Sequence, residues 1–128
     1  MAESNTDFHL DISLRDNYIL AEASGKETPE NMAFVYEEII NKITEWDCDR
    51  VLYIEHFANQ ISLQDMLIMW QKIFRLIKEK GIDGRIAVFD SVNSDHTVNL
   101  ISESLACEQG INARVFTDLD AAIAWISK

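Results

Sequence analysis

Glycine, proline and cysteine are scarce in this chain, and each scarcity excludes a class of architecture. The 128 residues include 4 Gly, 1 Pro and 2 Cys. So few glycines and a single proline leave little room for long linkers or low-complexity segments. Cys48 and Cys107 show neither a disulfide framework nor the spacing of a zinc site, so we expect free thiols and no metal. We therefore expect one domain over residues 1–128, with a polar, flexible stretch at 1–7.

Basic residues and long apolar runs are also few. Lys and Arg number 11 against 22 Asp and Glu, which gives a formal net charge of -11. Because nucleic acids and anionic membrane surfaces attract clustered Lys and Arg, this balance argues against both as partners. Purely apolar runs such as Met66 to Trp70 are far shorter than the roughly 20 residues of a membrane span. The polar N-terminus is unlike a signal peptide, so a cytoplasmic protein without membrane insertion is expected.

Apolar periodicity predicts five strands and four helices. Phe8 to Ser13 alternates apolar and polar residues, and Tyr18 to Ala23 reads as the second arm of a hairpin. The later predicted elements are a helix over 28–46 with Thr28 as N-cap, a strand over 50–55, a helix over 62–80 that Gly81 ends, a strand over 85–90, a helix over 95–108, a strand over 112–116 and a closing helix that Thr117 caps. Short loops between alternating helices and strands require parallel strands. The prediction is an α/β fold with a mixed, mostly parallel five-stranded sheet in nearly sequential order.

Polar residues cluster where the two central predicted strands end. The carboxyl edge of a parallel sheet is where α/β proteins usually bind their ligands. The predicted binding residues, in the loop after the first central strand, at the start of the next helix and at the end of the second strand, are Glu55, His56, Asn59, Ser62 and Asp90.

A catalytic set can be drawn from the same edge. Glu55 and Asp90 end adjacent strands, with His56 and His96 nearby in the sequence, and a raised carboxyl pKa would suit acid–base chemistry. The chain has no glycine-rich phosphate loop, nucleophile elbow or metal-ligand spacing. We therefore expect no catalytic residues, metal or cofactor, and keep an acid–base enzyme as an alternative.

Several apolar residues fall outside the predicted core stripes of the helices. On helix 62–80 the stripe comprises Leu63, Met66, Leu67, Trp70, Ile73, Phe74 and Ile77. Ile68, Met69 and Leu76 lie more than about 100° from its centre. Phe34, Ile40 and Leu100 are placed similarly on the other helices. These residues either pack helix against helix or form an exposed patch for self-association or a protein partner. The second interpretation predicts a homodimer with an interface of Ile68, Met69 and Leu76.

The last strand and helix carry a family resemblance. The segment 113–126, ARVFTDLDAAIAWI, resembles the closing strand and helix of STAS-like proteins, relatives of the sporulation anti-sigma-factor antagonist. The resemblance is to a small bacterial branch whose last helix ends in Ala-x-x-Trp-Leu or a similar sequence. The order of predicted elements is similar to the same fold over nearly the whole chain.

The resemblance implies a regulatory role. True anti-sigma antagonists bind a partner kinase through the loop and helix start that match Ser62 here, and they are switched by phosphorylation of that serine. In the family motif an Asp precedes the phospho-acceptor, whereas Ile61 precedes Ser62 in this chain. The expected function is a non-catalytic STAS-like protein-interaction or regulatory module, with Ser62 as the candidate phospho-acceptor.

A ligand-binding function is the main alternative. Some distant STAS-like relatives resemble lipid-transfer domains of the CRAL-TRIO type. This likeness implies a lipid or other apolar small molecule bound between helices and sheet. An internal cavity lined by residues such as Tyr53, Trp70 and Phe74 would favour it.

Overall fold

The chain forms a single sheet with helices on both faces. The computed structural model describes residues 8–57, 61–92 and 97–128. Its elements are β1 (Phe8–Leu14), β2 (Ile19–Gly25), α1 (Pro29–Trp46), β3 (Arg50–Phe57), α2 (Leu63–Glu79), β4 (Arg85–Asp90), α3 (Thr97–Glu108), β5 (Asn112–Phe116) and α4 (Leu119–Ser127). The predicted α/β class is confirmed for this part of the chain.

The strand order follows the sequence. The sheet runs β1-β2-β3-β4-β5, with β1 antiparallel to β2 and the other neighbouring strands parallel. Val51 lies opposite Ile86, and Glu55 lies opposite Asp90. The predicted side-by-side, same-direction pairing of the two central strands is confirmed. The carboxyl ends of β2, β3 and β4 therefore meet at one edge of the sheet.

The two faces of the sheet are covered differently. Alternate residues of β3 point to opposite sides, as strand geometry requires. Val51, Tyr53 and Phe57 belong to the larger core cluster, with residues of α1 and α2. Leu52 and Ile54 pack in a second cluster with residues of α4. We name these sides the three-helix face, under α1, α2 and α3, and the α4 face.

The predicted helix starts are mostly confirmed. Thr28 accepts a hydrogen bond from the Asn31 amide at 3.0 Å, with Pro29 at the first turn of α1. The N-cap of α4, however, is Asp118, whose Oδ2 accepts from the Ala121 amide at 3.0 Å. The prediction of Thr117 was wrong by one residue. A carboxylate accepts this bond as a hydroxyl does, and its charge also complements the positive helix N-terminus.

The buried side of α2 differs from the predicted stripe. Met69 is only 4% exposed, whereas Leu63 and Leu67 are exposed. Ile40 of α1, also placed off the stripe, is buried. Because α2 packs beside α1 as well as contributing to the core cluster on the sheet, both helices bury a flank that the sheet alone would leave open. Met69 therefore belongs to the core and not to an exposed interface.

Three of the other expected exposures agree with the structure: Ile68 is 52% exposed, and Phe34 and Leu100 are also exposed. Leu76, which was expected to be exposed, is half-buried. Within the described ranges, no helix is both long and apolar enough to cross a bilayer.

Candidate functional site

Three carboxyl groups lie at the carboxyl edge of the sheet, on the three-helix face. Glu55 is a residue of β3 and is 4% exposed, and its register partner Asp90, the last residue of β4, is also buried. Glu27 follows β2 and is half-buried. Alternation along the strands puts Glu55 on the same side as Val51 and Tyr53, beneath the helices. A buried carboxyl group is uncommon and requires hydrogen-bond partners or a proton.

Hydrogen bonds hold this cluster together. The carboxyl groups of Glu55 and Glu27 are hydrogen-bonded to each other. Glu27 Oε1 also accepts from the Ile61 amide at 3.0 Å, just before α2 begins. Asp90 Oδ1 accepts from the Val92 amide at 3.0 Å. The cluster thus connects the ends of β2, β3 and β4 to the start of α2.

Burial dominates the electrostatics of the pair. Desolvation raises the pKa of Glu55 well above its ordinary value, and the charges of Glu27 and Asp90 raise it further. Desolvation also raises the pKa of Glu27, although the hydrogen bond from the Ile61 amide opposes the change. Glu55 is the more deeply buried of the two, and the Ile61 amide stabilises a negative charge on Glu27, so a proton shared by the pair resides on Glu55, which donates to Glu27.

Two buried tyrosines adjoin the carboxyl pair. Burial, together with the nearby Glu55, raises the pKa values of Tyr36 and Tyr53 well above their usual range. Their rings meet edge to face at 5.5 Å, and Tyr36 also meets Trp70 at 4.9 Å. Both phenols therefore stay neutral and form part of an aromatic wall.

A cavity of about 110 Å³ lies between the three helices and the sheet. Its lining includes Glu27 and Glu55 at the carboxyl edge and extends to Gly84 at the opposite edge. Between these ends it is mostly apolar, with Ile39, Met66, Met69, Trp70, Phe74, Val88 and Val98 among the lining residues. A dry apolar cavity of about 150 Å³ holds benzene, so this one has room for roughly four or five non-hydrogen atoms.

Part of the lining comes from α3 and is polar. Ser102 Oγ accepts from Trp70 Nε1 at 2.8 Å, which joins α3 to α2. Asn99 also lines the cavity, and its Nδ2 is buried without a hydrogen-bond partner in the described part of the chain. Buried polar groups are rarely left in this state. The cavity wall therefore offers a hydrogen-bond donor that a bound molecule could use.

A second polar group occupies the same edge on the α4 face. His56 Nε2 lies 3.1 Å from Glu22 Oε2, and His56 Nδ1 contacts Ser91 Oγ. Glu22, His56 and Ser91 are on β2, on β3 and just after β4. His56 follows Glu55 directly, so its side chain is on the opposite face from the carboxyl pair. The structure separates two predicted binding residues that are adjacent in sequence.

The remaining predicted site residues divide in three ways. Ser62 is exposed, and its side chain accepts from the Asp65 amide at 3.1 Å as the N-cap of α2. Asn59 and His96 lie outside the described residues. Asp90 is beside Glu55 as expected, but the cavity lining includes Glu55 and Glu27 and not Asp90 in the described part of the chain. Acid–base chemistry by Glu55 and Asp90 stays a prediction.

Sequence reasoning missed Glu27, Glu22 and Ser91. Glu27 follows β2 at the same edge as Glu55, and this position was a usable signal once β2 and β3 were taken as neighbours. Glu22 is two residues before Ser24, the register partner of His56, and therefore projects to the same face. Asn99 gave no signal, because a polar residue in the first turn of a helix is ordinary.

Comparisons with known proteins do not assign this site. Among the described residues, no group of three or more His, Cys, Asp or Glu side chains is placed to hold a metal ion. No protein-family model matches the chain, and a search of curated proteins found no match.

Proposed function

We propose that this protein is a STAS-like ligand-binding module that holds a small amphiphile in the cavity under α1, α2 and α3. The ligand has an apolar body and a neutral or cationic head that donates a hydrogen bond, such as an alcohol or an amine. The observation that carries the proposal is the mostly apolar cavity of about 110 Å³ with the Glu27–Glu55 pair at one end. Small-molecule sites typically combine such an apolar wall with a few polar groups that fix orientation.

Cavity size limits the ligand. Room for roughly four or five non-hydrogen atoms fits a chain of about four carbons with a small head. Burial of such a chain contributes about 0.8 kcal/mol for each CH₂ removed from water. A four-carbon amphiphile is therefore the natural probe.

Charge limits the head group. Glu27 and Glu55 line the cavity, and Asp90 acts on both through its charge. A carboxylate head would add another negative charge to a site where burial already disfavours ionisation. A hydroxyl or ammonium head can instead donate to Glu27. A ligand oxygen in the cavity can also accept from Asn99, whose amide nitrogen otherwise lacks a partner among the described residues.

Calorimetric titration with three four-carbon compounds tests the proposal. We expect butan-1-ol and butan-1-amine to bind at pH 8 at least about tenfold more tightly than butanoate, a difference of about 1.4 kcal/mol. Ala106→Leu, in the cavity lining, should abolish binding, whereas Ala124→Leu, exposed on α4, should leave it unchanged. Equal affinities for the three compounds, or unchanged binding by Ala106→Leu, would contradict the proposal.

A protein-interaction function is the second candidate, because three large apolar side chains of α2 are exposed. They are Leu63, Leu67 and Ile68. We propose that this surface mediates homodimerisation of a cytoplasmic regulatory module. Sedimentation should then show a dimer for the wild type and a folded monomer for Ile68→Glu, with Gln64→Glu on the same helix as the control. A wild-type monomer at high concentration would count against it.

A further inference from the structure

We propose that Ser91 is a nucleophile that accepts acyl groups from aryl esters or thioesters, with His56 as its general base and Glu22 as a positioning residue. The three side chains form one hydrogen-bonded row on the α4 face, at the carboxyl edge of the sheet. This site is separate from the cavity, so its test does not depend on ligand binding there.

Two side-chain contacts connect Glu22, His56 and Ser91 into the row. Glu22 Oε2 lies 3.1 Å from His56 Nε2, and the other ring nitrogen, Nδ1, contacts Ser91 Oγ. A carboxylate, an imidazole and a hydroxyl in this order form the arrangement that activates a serine. Three different parts of the chain contribute one residue each, so the row is not a by-product of local sequence.

The hydrogen-bond partners define the reactive form. Glu22 accepts a hydrogen bond from the protonated Nε2 of His56. In a neutral ring, this leaves Nδ1 without a proton and able to accept a hydrogen bond. Ser91 Oγ can then donate either to Nδ1 or to the Glu55 carbonyl oxygen, which is 3.1 Å away. When the ring is doubly protonated, Nδ1 donates to Ser91, and the hydroxyl proton turns to the Glu55 carbonyl. The neutral imidazole is therefore the activating form.

The side chains of His56 and Ser91 are accessible to solvent. His56 is 37% exposed at its side chain, and Ser91 is exposed. An exposed contact between a carboxylate and a histidine contributes little to folding stability, even when the ring is charged. The alignment is thus poorly explained by stability alone, and an acyl donor can reach Ser91 Oγ from solvent.

The local backbone restricts the class of donor. The Ser91 amide donates to the Glu55 carbonyl at 2.9 Å, and the Val92 amide donates to Asp90 Oδ1 at 3.0 Å. Neither amide is available to stabilise an oxyanion, which usually supplies a large part of acyl-transfer catalysis. Donors with stable leaving groups, such as aryl esters and thioesters, depend least on such help. Acyl transfer onto Ser91 is therefore favoured over efficient hydrolysis of ordinary esters.

The step balances without another reactant. Ser91 Oγ forms a bond to the acyl carbon as its proton moves to His56 Nδ1, and the bond from the acyl carbon to the phenolate or thiolate breaks. The imidazolium then gives its proton to the leaving group or to solvent. Glu22 stabilises the imidazolium during the transfer. The product is an O-acyl Ser91.

Acetylation by p-nitrophenyl acetate tests the proposal. Peptide mass spectrometry of the quenched full-length protein should show Ser91 acetylated at least about 100-fold faster than the exposed Ser13 of β1, because a general base contributes about 10²–10⁴-fold. His56→Gln should lower the rate at Ser91 by at least about 100-fold while circular dichroism remains unchanged. Ser91→Ala removes the adduct and checks its assignment.

A separate readout tests the role of Glu22. Nitrogen-15 shifts of the His56 ring report which nitrogen carries the proton, and Glu22→Gln should shift that proton from Nε2 toward Nδ1 and slow the acetylation of Ser91. A purely structural Glu22 would leave the ring tautomer unchanged. Acetylation of Ser91 no faster than that of Ser13, or an unchanged rate in folded His56→Gln, would overturn the proposal.

Discussion

Replacing Glu55 with Gln should make the protein more stable at neutral and alkaline pH. Glu55 is buried and donates a proton-dependent hydrogen bond to Glu27. Gln has nearly the same shape, and its amide donates to the Glu27 carboxylate without needing a titratable proton. The substitution therefore keeps the contact and removes the cost of ionising a carboxyl group in the core.

The sign follows from the direction of the pKa shift. The ordinary pKa of a glutamate is 4.5, and burial raises that of Glu55 well above it in the folded protein. Below pH 4.5 both folded and unfolded chains hold the proton. At higher pH the unfolded chain loses it first, so wild-type stability falls as the pH rises toward the folded pKa. Glu55→Gln lacks this loss, and its advantage should grow by about 1.4 kcal/mol for each pH unit in that window.

Urea denaturation monitored by tryptophan fluorescence at pH 5, 6, 7 and 8 measures the effect. Glu37→Gln, an exposed substitution on α1, is the control and should change the unfolding free energy by less than about 0.5 kcal/mol at every pH. Parallel pH profiles for wild type and Glu55→Gln would refute the reasoning, because they would mean that Glu55 ionises equally easily in both states.

Three further substitutions test the fold around the site by urea denaturation. Gly84→Ala should cost about 1–3 kcal/mol, because its new Cβ would lie 1.9 Å from the Asp49 carbonyl oxygen; wild-type stability would contradict that close approach. Ile126→Ala should lower the unfolding free energy by about 2–5 kcal/mol, since Ile126 of α4 is fully buried against the sheet. A change below about 1 kcal/mol would contradict this packing. Ser62→Ala should cost about 1 kcal/mol through loss of the N-cap bond to the Asp65 amide, and no loss would mean that this bond is not formed in solution.

The order of elements was predictable because local signals agree with the global fold. The apolar run around Val51 and Ile54, the Thr28 cap with Pro29, and the turn at Gly81 each mark an element boundary on their own. Gly81 has φ +67°, as a residue that ends a helix often does. Short connections then fix parallel strands and sequential order.

Side-chain orientation on α2 was harder to predict. A stripe drawn from apolar spacing assumes one buried side, whereas α2 packs beside α1 and α3 and also contributes to the core cluster on the sheet. Met69 is consequently buried and Leu67 exposed, although both are apolar and two positions apart. The sequence does not state which neighbouring helix will cover a flank, so this part of the prediction was wrong.

Some site residues could not be assigned from the sequence, because only the pairing of distant strands and the placement of α2 bring them together. Glu55 and Asp90 were placed together because both end apolar strands. Glu27 lies in a loop, and its bond to the Ile61 amide depends on how α2 approaches the sheet. The row of Glu22, His56 and Ser91 depends on which face each residue takes, and that required the register of β2 against β3.

Locating a bound four-carbon alcohol tests the central claim most directly. In a complex with butan-1-ol, nuclear Overhauser effects should connect the alkyl protons to the methyl groups of Ile39 and Met66, which line the cavity. The exposed Ile68 and Leu67 methyl groups should show none. Effects confined to these two exposed residues, or no binding at all, would contradict a ligand site between the three helices and the sheet.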